Sequence, residues 1–538
     1  MNPKKLIIKH LNKIILITIL IVVSTVLNIS GPIILKRLIS ENDSDSIELF
    51  NLLIYFLIIT LYYLSLYIFS KLQTNFSKKF KEQETLELYR SVFKMDYETL
   101  LKSQMTYLVS RIKSVVDSFF SIVGQGLSRI LALGITLVTI IIIMSTYNKY
   151  LALLYIIVIP INVLGFKRIN KKLTARSSEL QHVCADNFKN IISFMSNYEY
   201  IKQAQSDEVL YQYLSEYVTR IENENSKLQH YAKTIGLFLE YLLKLVEVCI
   251  FMFIVYLFTK GTIDVSVFIM LNLLNSIFYS SLKSINEVNI NLRDIKASFN
   301  FVNDLILQNQ EVDNGNLVLQ EVESIRIDVN DLKYGKNLLI QSGNLNAEKG
   351  DKVAIIGASG VGKSSLLKMI PRLISSNTTR ILINNIQIEQ ITLTSLRKKI
   401  LYLSQTPNIF PITIKENLCL ENTNLADKVI SLKTFEKFNN LENGLDTLVV
   451  EGAANLSGGD RQKIVLGRLM NSNYDVIILD EATNSIDEET SDELIQKVFE
   501  IFNDKIIFII THNENIAEKC NKKYKIDNKI IAEVATNE

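Results

Sequence analysis

Residues Ile14 to Leu35 run for 22 positions without a single charge. A helix rises about 1.5 Å per residue and the hydrocarbon core of a bilayer is about 30 Å thick, so this stretch is long enough to cross it once. Backbone placed in lipid must satisfy its own hydrogen bonds, which leaves a helix or a closed barrel. Lys4, Lys5, Lys9 and Lys13 precede the run, as they would in a secretory signal. The run is longer than a signal core, and no small-x-small cleavage site is evident, so it reads as a retained transmembrane helix.

Five more apolar stretches follow. Residues 49–69 are uncharged. Residues 130–147 and 150–166 are separated only by Asn148 and Lys149, which predicts a tight hairpin. The second of these is short for a span, so its helix is expected to run past those limits. Residues 234–258 carry three charges, and 261–282 carry only Asp264. Orientation follows from lysine and arginine in the loops. The first outer loop, 41–48, has four acids and no base. The loop after the second span is basic (Lys71, Lys78, Lys79, Lys81, Arg90, Lys94), and so is the one after the fourth (Lys167, Arg168, Lys171, Lys172, Arg176). The pattern predicts six spans in a cell membrane with both termini cytoplasmic. The two long inner loops show helical period, as in Leu86, Tyr89, Val92 and Phe93, which predicts long cytosolic extensions of the membrane helices. Net charge is +2, so bulk electrostatics give no reason to expect a nucleic-acid partner. The four cysteines and four histidines are scattered, without metal-ligand spacing or a disulfide framework.

The charges in the fifth stretch are Glu240, Lys244 and Glu247, spaced to share one helix face. Two readings stand side by side. Membrane-embedded charges usually face a cavity, which makes them a substrate-facing stripe. Alternatively, a Glu–Lys pair neutralises itself and the remaining glutamate is hydrated near the inner leaflet. The tyrosines of the second stretch read as packing and interface residues.

The last third of the chain changes character. Alternation over 325–329 and the apolar run 353–356 predict strands, and the second leads into Gly357-Ala358-Ser359-Gly360-Val361-Gly362-Lys363-Ser364-Ser365. A glycine-rich loop between a strand and a helix can turn its N–H groups onto phosphate oxygens, and the helix N-terminus adds positive potential. Lys363 can reach the outer phosphates, and Ser364 can ligate Mg²⁺. Val476-Ile477-Ile478-Leu479 predicts a buried parallel strand ending in Asp480 and Glu481. Asp480 fits a Mg²⁺ partner, and Glu481 is placed to orient and deprotonate a water.

Between these motifs stands Leu456-Ser457-Gly458-Gly459-Asp460. With it, the set resembles the ATPase cassette of ABC proteins, and nearly the whole chain resembles an ABC exporter half-transporter. The resemblance implies an α-helical membrane domain of six transmembrane helices over 1–300, a linker over 301–323, and an α/β P-loop ATPase cassette over 324–538. It implies ATP and Mg²⁺ as cofactors. It makes Tyr334 an adenine-stacking aromatic and Gln405 a Mg²⁺ contact that senses the membrane domain. Residues 410–417 become the segment that packs on the membrane domain's cytoplasmic helices, and 450–452 a short cross-dimer loop. Ser457, Gly458 and Gly459 become a signature for the γ-phosphate of ATP held by a partner cassette, Asp487 a D-loop acid and His512 a switch histidine.

Two positions depart from the pattern. Asp460 stands where the family usually has Gln, which adds negative charge near an anion site and is expected to weaken closure on ATP. The D-loop reads Asn484-Ser485-Ile486-Asp487 in place of Ser-Ala-Leu-Asp. One cassette holds half of each ATP site, so the expected partner is a second copy of the chain or a paralogous half-transporter, in a lipid bilayer. The expected cargo is an exported hydrophobic or amphipathic peptide or small molecule. A lipid or drug exporter and an exporter-shaped importer are the alternatives, and a non-transport regulator or channel a more remote one. No peptidase domain precedes the first span, so leader cleavage during peptide export is not expected.

Overall fold

The computed structural model describes residues 3–40, 49–103, 105–203, 207–291, 298–335, 337–420, 422 and 432–534. The acidic loop 41–48 lies outside them. Contacts divide the chain into two compact units, Met1–Gln310 and Glu311–Glu538.

The first unit is helical: α1 (Leu11–Ser40), α2 (Leu49–Val92), α3 (Met105–Phe120), α4 (Leu127–Tyr147), α5 (Lys149–Ser196), α6 (Asp207–Thr259) and α7 (Val265–Asn291), with short helices between them. Among the described residues, five helical stretches are long and apolar enough to cross a bilayer; a sixth apolar stretch, Lys149–Gly165, is shorter. That sixth stretch opens a helix of 48 residues, which continues past the apolar limits seen in the sequence. At about 1.5 Å per residue, α2, α5 and α6 are each more than twice as long as the bilayer core is thick.

Helical structure begins earlier than the third apolar run. A π-helical turn at Ser121–Gly126 joins α3 to α4. A Cβ on Gly124 would collide with the Phe120 ring, and Gln73 Nε2 donates to the Gly124 carbonyl at 3.2 Å. Glycine therefore permits the wide turn, and a neighbouring side chain satisfies the carbonyl there. The α4–α5 hairpin is fixed by Asn148, whose side chain accepts from Tyr150 N at 2.8 Å and caps α5.

This unit has two apolar cores. One gathers Ile29, Met144, Tyr155, Ile254 and Phe278. Within it the Tyr155 hydroxyl donates to Asn275 Oδ1 at 2.6 Å, which satisfies two buried polar groups. The other gathers Phe76, Phe80, Phe119, Phe120, Val302 and Ile306. The fully buried Glu84 lies beside it, with Lys9 Nζ at 2.8 Å and His10 Nε2 at 3.3 Å.

The second unit is built on a sheet of β1 (Ser324–Tyr334), β2 (Asn337–Glu348), β3 (Lys352–Gly357), β4 (Arg380–Ile383), β5 (Ile386–Gln387), β6 (Ile400–Leu403), β7 (Val476–Asp480), β8 (Ile506–Ile510), β9 (Lys522–Asp527) and β10 (Ile530–Val534). Its order is β5-β4-β1-β2-β10-β9-β3-β8-β7-β6. Strands β9, β3, β8, β7 and β6 run parallel, and β1, β2, β4 and β5 form an antiparallel wing. Every residue of β7 and β8 is buried. Alternate side chains enter two separate cores, Ile478 and Phe508 on one face, Ile477 and Ile509 on the other. Parallel strands covered on both faces read as unbroken apolar runs for this reason. Helices α8 (Lys363–Lys368), α9 (Ile414–Leu418), α10 (Glu436–Asn439), α11 (Gly458–Met470) and α12 (Glu488–Ile501) carry or support the motifs.

Candidate ATP-binding and hydrolysis site

The glycine-rich loop leaves β3 and enters α8 through Gly362, whose φ of 105° is in the left-handed region. Gly360 has φ of 82° although a Cβ there would meet open space, so its glycine answers to backbone conformation and not to crowding. Ala358, Ser359 and Gly360 form an exposed rim, while Val361, Ser364 and Ser365 are half-buried. Lys363 is buried, and its Nζ donates to the carbonyls of Gly357 at 2.6 Å and Ala358 at 2.9 Å. The ammonium is thus folded back into the loop it would share with a phosphate. Burial pushes its pKa down, against the opposing pull of Glu481 and Asp480.

At the end of β7 the Asp480 carboxylate is buried, and the Tyr402 hydroxyl donates to its Oδ2. Glu481 follows with φ of 49°, in left-handed backbone held by its N–H on the Ile510 carbonyl at 3.0 Å. Such conformations cost about 1–3 kcal/mol and gather at functional sites. Three side chains converge on the Glu481 carboxylate. Gln405 Nε2 donates to Oε2 at 2.7 Å, Asn484 Nδ2 donates to the same oxygen at 2.6 Å, and His512 Nε2 lies 3.3 Å from Oε1. A carboxylate held by three groups at the end of a parallel strand is positioned to orient and deprotonate a water.

The signature serine, Ser457, caps α11. Its hydroxyl accepts from Asp460 N at 3.1 Å and donates to Asp460 Oδ2 at 2.6 Å. A Cβ on Gly459 would lie 2.9 Å from the Ser485 carbonyl, and Gln462 Oε1 accepts from Ser485 N at 2.8 Å. Signature and D-loop are therefore in close contact, one residue from Asn484 and its bond to Glu481. Asp487 caps α12 by accepting from Thr490 N at 2.9 Å. The Thr490 hydroxyl, together with that N–H, holds the carboxyl below its ordinary pKa.

Gln405, Glu481 and His512 are thus brought together, as are Lys363 and the loop 357–362. Ser457, Gly458 and Gly459 form a separate helix start on the D-loop. Tyr334 ends β1, and its side chain lies outside the described ones. Residues the sequence did not single out join the site: Tyr402 on Asp480 and Lys437 on Asp460. Asn484 was visible only as a departure from a pattern.

In the membrane unit the charged stripe contains the Glu–Lys pair of the second reading, but the remaining glutamate has a partner on another helix. Lys244 pairs with Glu247 at 2.9 Å, and Glu240 reaches Lys283 of α7 at 2.6 Å. Lys283 lies one residue past the apolar limit of the sixth stretch, which is why it drew no notice in the sequence.

Comparison with known proteins decides the family. The model of the ABC transporter transmembrane region matches residues 14–282, and that of the ABC transporter cassette matches 340–484. The chain belongs to the ABC transporter family. It joins one membrane region to one cassette in a single chain, as a half-transporter does, it is a multi-pass membrane protein, and it couples ATP hydrolysis to transport. An ATP-dependent lipid A-core flippase of Syntrophus aciditrophicus is 24% identical over 79% of this chain and 72% of the relative. A Staphylococcus aureus protein provisionally named a multidrug export ATP-binding/permease protein is 32% identical, over 40% of this chain and 39% of the relative. Among solved structures, a bacterial Atm1-family ABC exporter with ATP bound superposes with a TM-score of 0.88 at 17% identity, covering 97% of this chain and 94% of that one. ATP and Mg²⁺ are the cofactors of this ABC transporter. Ser364, Gln405 and Asp480 offer the hard oxygen donors that Mg²⁺ prefers, and the buried Asp480 carboxylate is an anchor suited to it.

Proposed function

We propose that two copies of this chain form a transporter with two ATP molecules sandwiched between them. Each ATP lies on Lys363 and the loop 357–365 of one copy and faces Ser457, Gly458 and Gly459 of the other. Ser364, Gln405 and Asp480 would hold Mg²⁺, which would supply charge neutralisation at the phosphates. Glu481 takes a proton from the attacking water, and His512 and Gln405 keep its carboxylate in place. Tyr334 stacks on the base, and Asp487 contacts the second copy. The observation that carries this reading is the convergence of Gln405, Asn484 and His512 on Glu481. Six spans over 1–300 and a cassette over 324–538, with both termini cytoplasmic, complete the arrangement.

The cargo is a hydrophobic or amphipathic molecule moved outward. The relatives' names favour a lipid or a drug and lend no support to the peptide that the sequence reading allowed beside a small molecule. Glu240, Lys244 and Glu247, with Lys283, belong to the substrate path, because charge pairs at membrane depth are costly against hydrocarbon and suit a water-filled cavity. The test is reconstitution in liposomes with a panel of lipids, cationic drugs and peptides. The reading expects one class to stimulate ATP turnover and to move in an ATP-dependent way. Turnover indifferent to every class, with no movement, would favour the regulator or channel. Inward movement would favour the importer. Native mass measurement separates a dimer of 61.5 kDa chains from a pairing with another half-transporter.

A further inference from the structure

Asp460 was expected to weaken closure on ATP by placing a negative charge beside the signature. The structure shows what that charge meets. Lys437 Nζ lies 2.9 Å from Asp460 Oδ2 and 3.0 Å from Oδ1, a two-oxygen contact with a carboxylate only 9% exposed. Burial pushes the Asp460 carboxyl up, but Lys437 and the Ser457 hydroxyl outweigh it and hold the group ionised. The lysine is not there by the reach of a loose side chain alone. Phe435 and Phe438, three positions apart, are both buried and anchor α10 and its preceding turn to the core. The Phe435 ring sits where a Cβ on Gly467 of α11 would be, 2.6 Å from Cζ, so the missing side chain lets the two elements close up. Gly467 and Asp460 are thus on the same helix, and the first brings Lys437 to the second.

We propose that Lys437 is a positioning residue for ATP: it cancels the charge of Asp460 and loosens that carboxylate's hold on the Ser457 hydroxyl. This rests on the reading that Ser457 faces the γ-phosphate of ATP bound to the other copy. Ser457 gives its proton to Asp460 Oδ2 at 2.6 Å, and a phosphate oxygen must compete for that same proton. With Lys437 sharing the carboxylate, Asp460 competes weakly and adds little repulsion. Without Lys437, a full negative charge stands at the helix start where the incoming anion binds.

The test is a double-mutant cycle on the full chain, reading the KM for ATP and kcat of the basal ATPase. K437A is expected to raise KM about tenfold with kcat within about twofold, in the range of partly buried charges at a helix N-terminus. K437R should keep KM near that of the unaltered protein. On top of D460N, K437A should change KM less than twofold, because no charge remains to cancel. Raising salt should narrow the K437A difference. Lys437 is 61% exposed, so K437A leaves the core intact, and a melting temperature close to the parent's checks this. An unchanged KM in K437A, or an equal rise with and without D460N, overturns the proposal. S457A in the same assay separates the two layers. If S457A keeps the parent's KM for ATP, the reading of Ser457 is at fault; if S457A raises KM and the cycle is flat, only the role of Lys437 is.

Discussion

Outside its cores the membrane unit leaves many large apolar side chains on its surface, where the cassette leaves few. In the membrane unit Phe56 is 67% exposed and Leu164 66%. In the cassette Val476, Ile477 and Ile478 are wholly buried. The difference is one of solvent: lipid tails are as apolar as leucine, so burying a membrane side chain against protein gains little over leaving it in lipid. In water the same burial is the main favourable term of folding. Equal truncations should therefore have unequal effects. Phe438→Ala in the cassette is expected to cost about 3–5 kcal/mol, and Phe56→Ala in α2 under about 1 kcal/mol, measured by thermal melting in one detergent. Similar losses at both positions would break the comparison.

Charges repeat the contrast. In the cassette one acid is held between two lysines. Asp475 is buried and meets Lys505 at 2.7 Å and Lys399 at 3.1 Å. Burial pushes its carboxyl up, yet the two lysines outweigh this and hold it below its ordinary value. A depressed carboxyl contributes stability that is fully present above its unfolded pKa and is lost as pH falls through the folded one. The cassette's melting temperature should thus hold from neutral pH to the ordinary carboxylate range and fall below it. D475N should be less stable at neutral pH and show a shallower acid slope; an unaltered slope would remove Asp475 from the account. In the membrane unit Glu240, Lys283 and Lys244 are more than half exposed, and only Glu247, at 20%, is partly covered. Their effect is expected in function, not in folding. E240Q should change the stimulation of the ATPase by cationic cargo a few-fold, with little change in melting. No change for any cargo would return the stripe to the self-neutralised reading.

What the sequence shows follows the same division. Motifs that act through backbone and local spacing are legible in order along the chain. The loop 357–365, the strand ending at Asp480 and Glu481, and the helix start at Ser457 each need contiguous residues. Long apolar runs are legible because a bilayer imposes a length. Contacts between distant positions leave no local mark. Tyr402 reaches Asp480 only because β6 and β7 pair in parallel, and Lys437 reaches Asp460 only because Phe435 fits against Gly467. The same holds in the membrane unit, where Glu240 and Lys283 sit on different helices, and where helical structure begins earlier than the third apolar run through a π turn that no apolar run announces. The departure at Asp460 was legible, but the charge that cancels it was not.

The central claim is that the carboxylate gathered by Gln405, Asn484 and His512 is the base for ATP hydrolysis. Its direct test is ATP turnover by the reconstituted E481Q protein beside the unaltered one, with ATP binding measured on both. Binding is expected within a few-fold of the parent and turnover lower by at least about a hundredfold, the lower end of what general-base catalysis supplies. Turnover near the parent's rate would mean that this convergence is structural and that the base lies elsewhere.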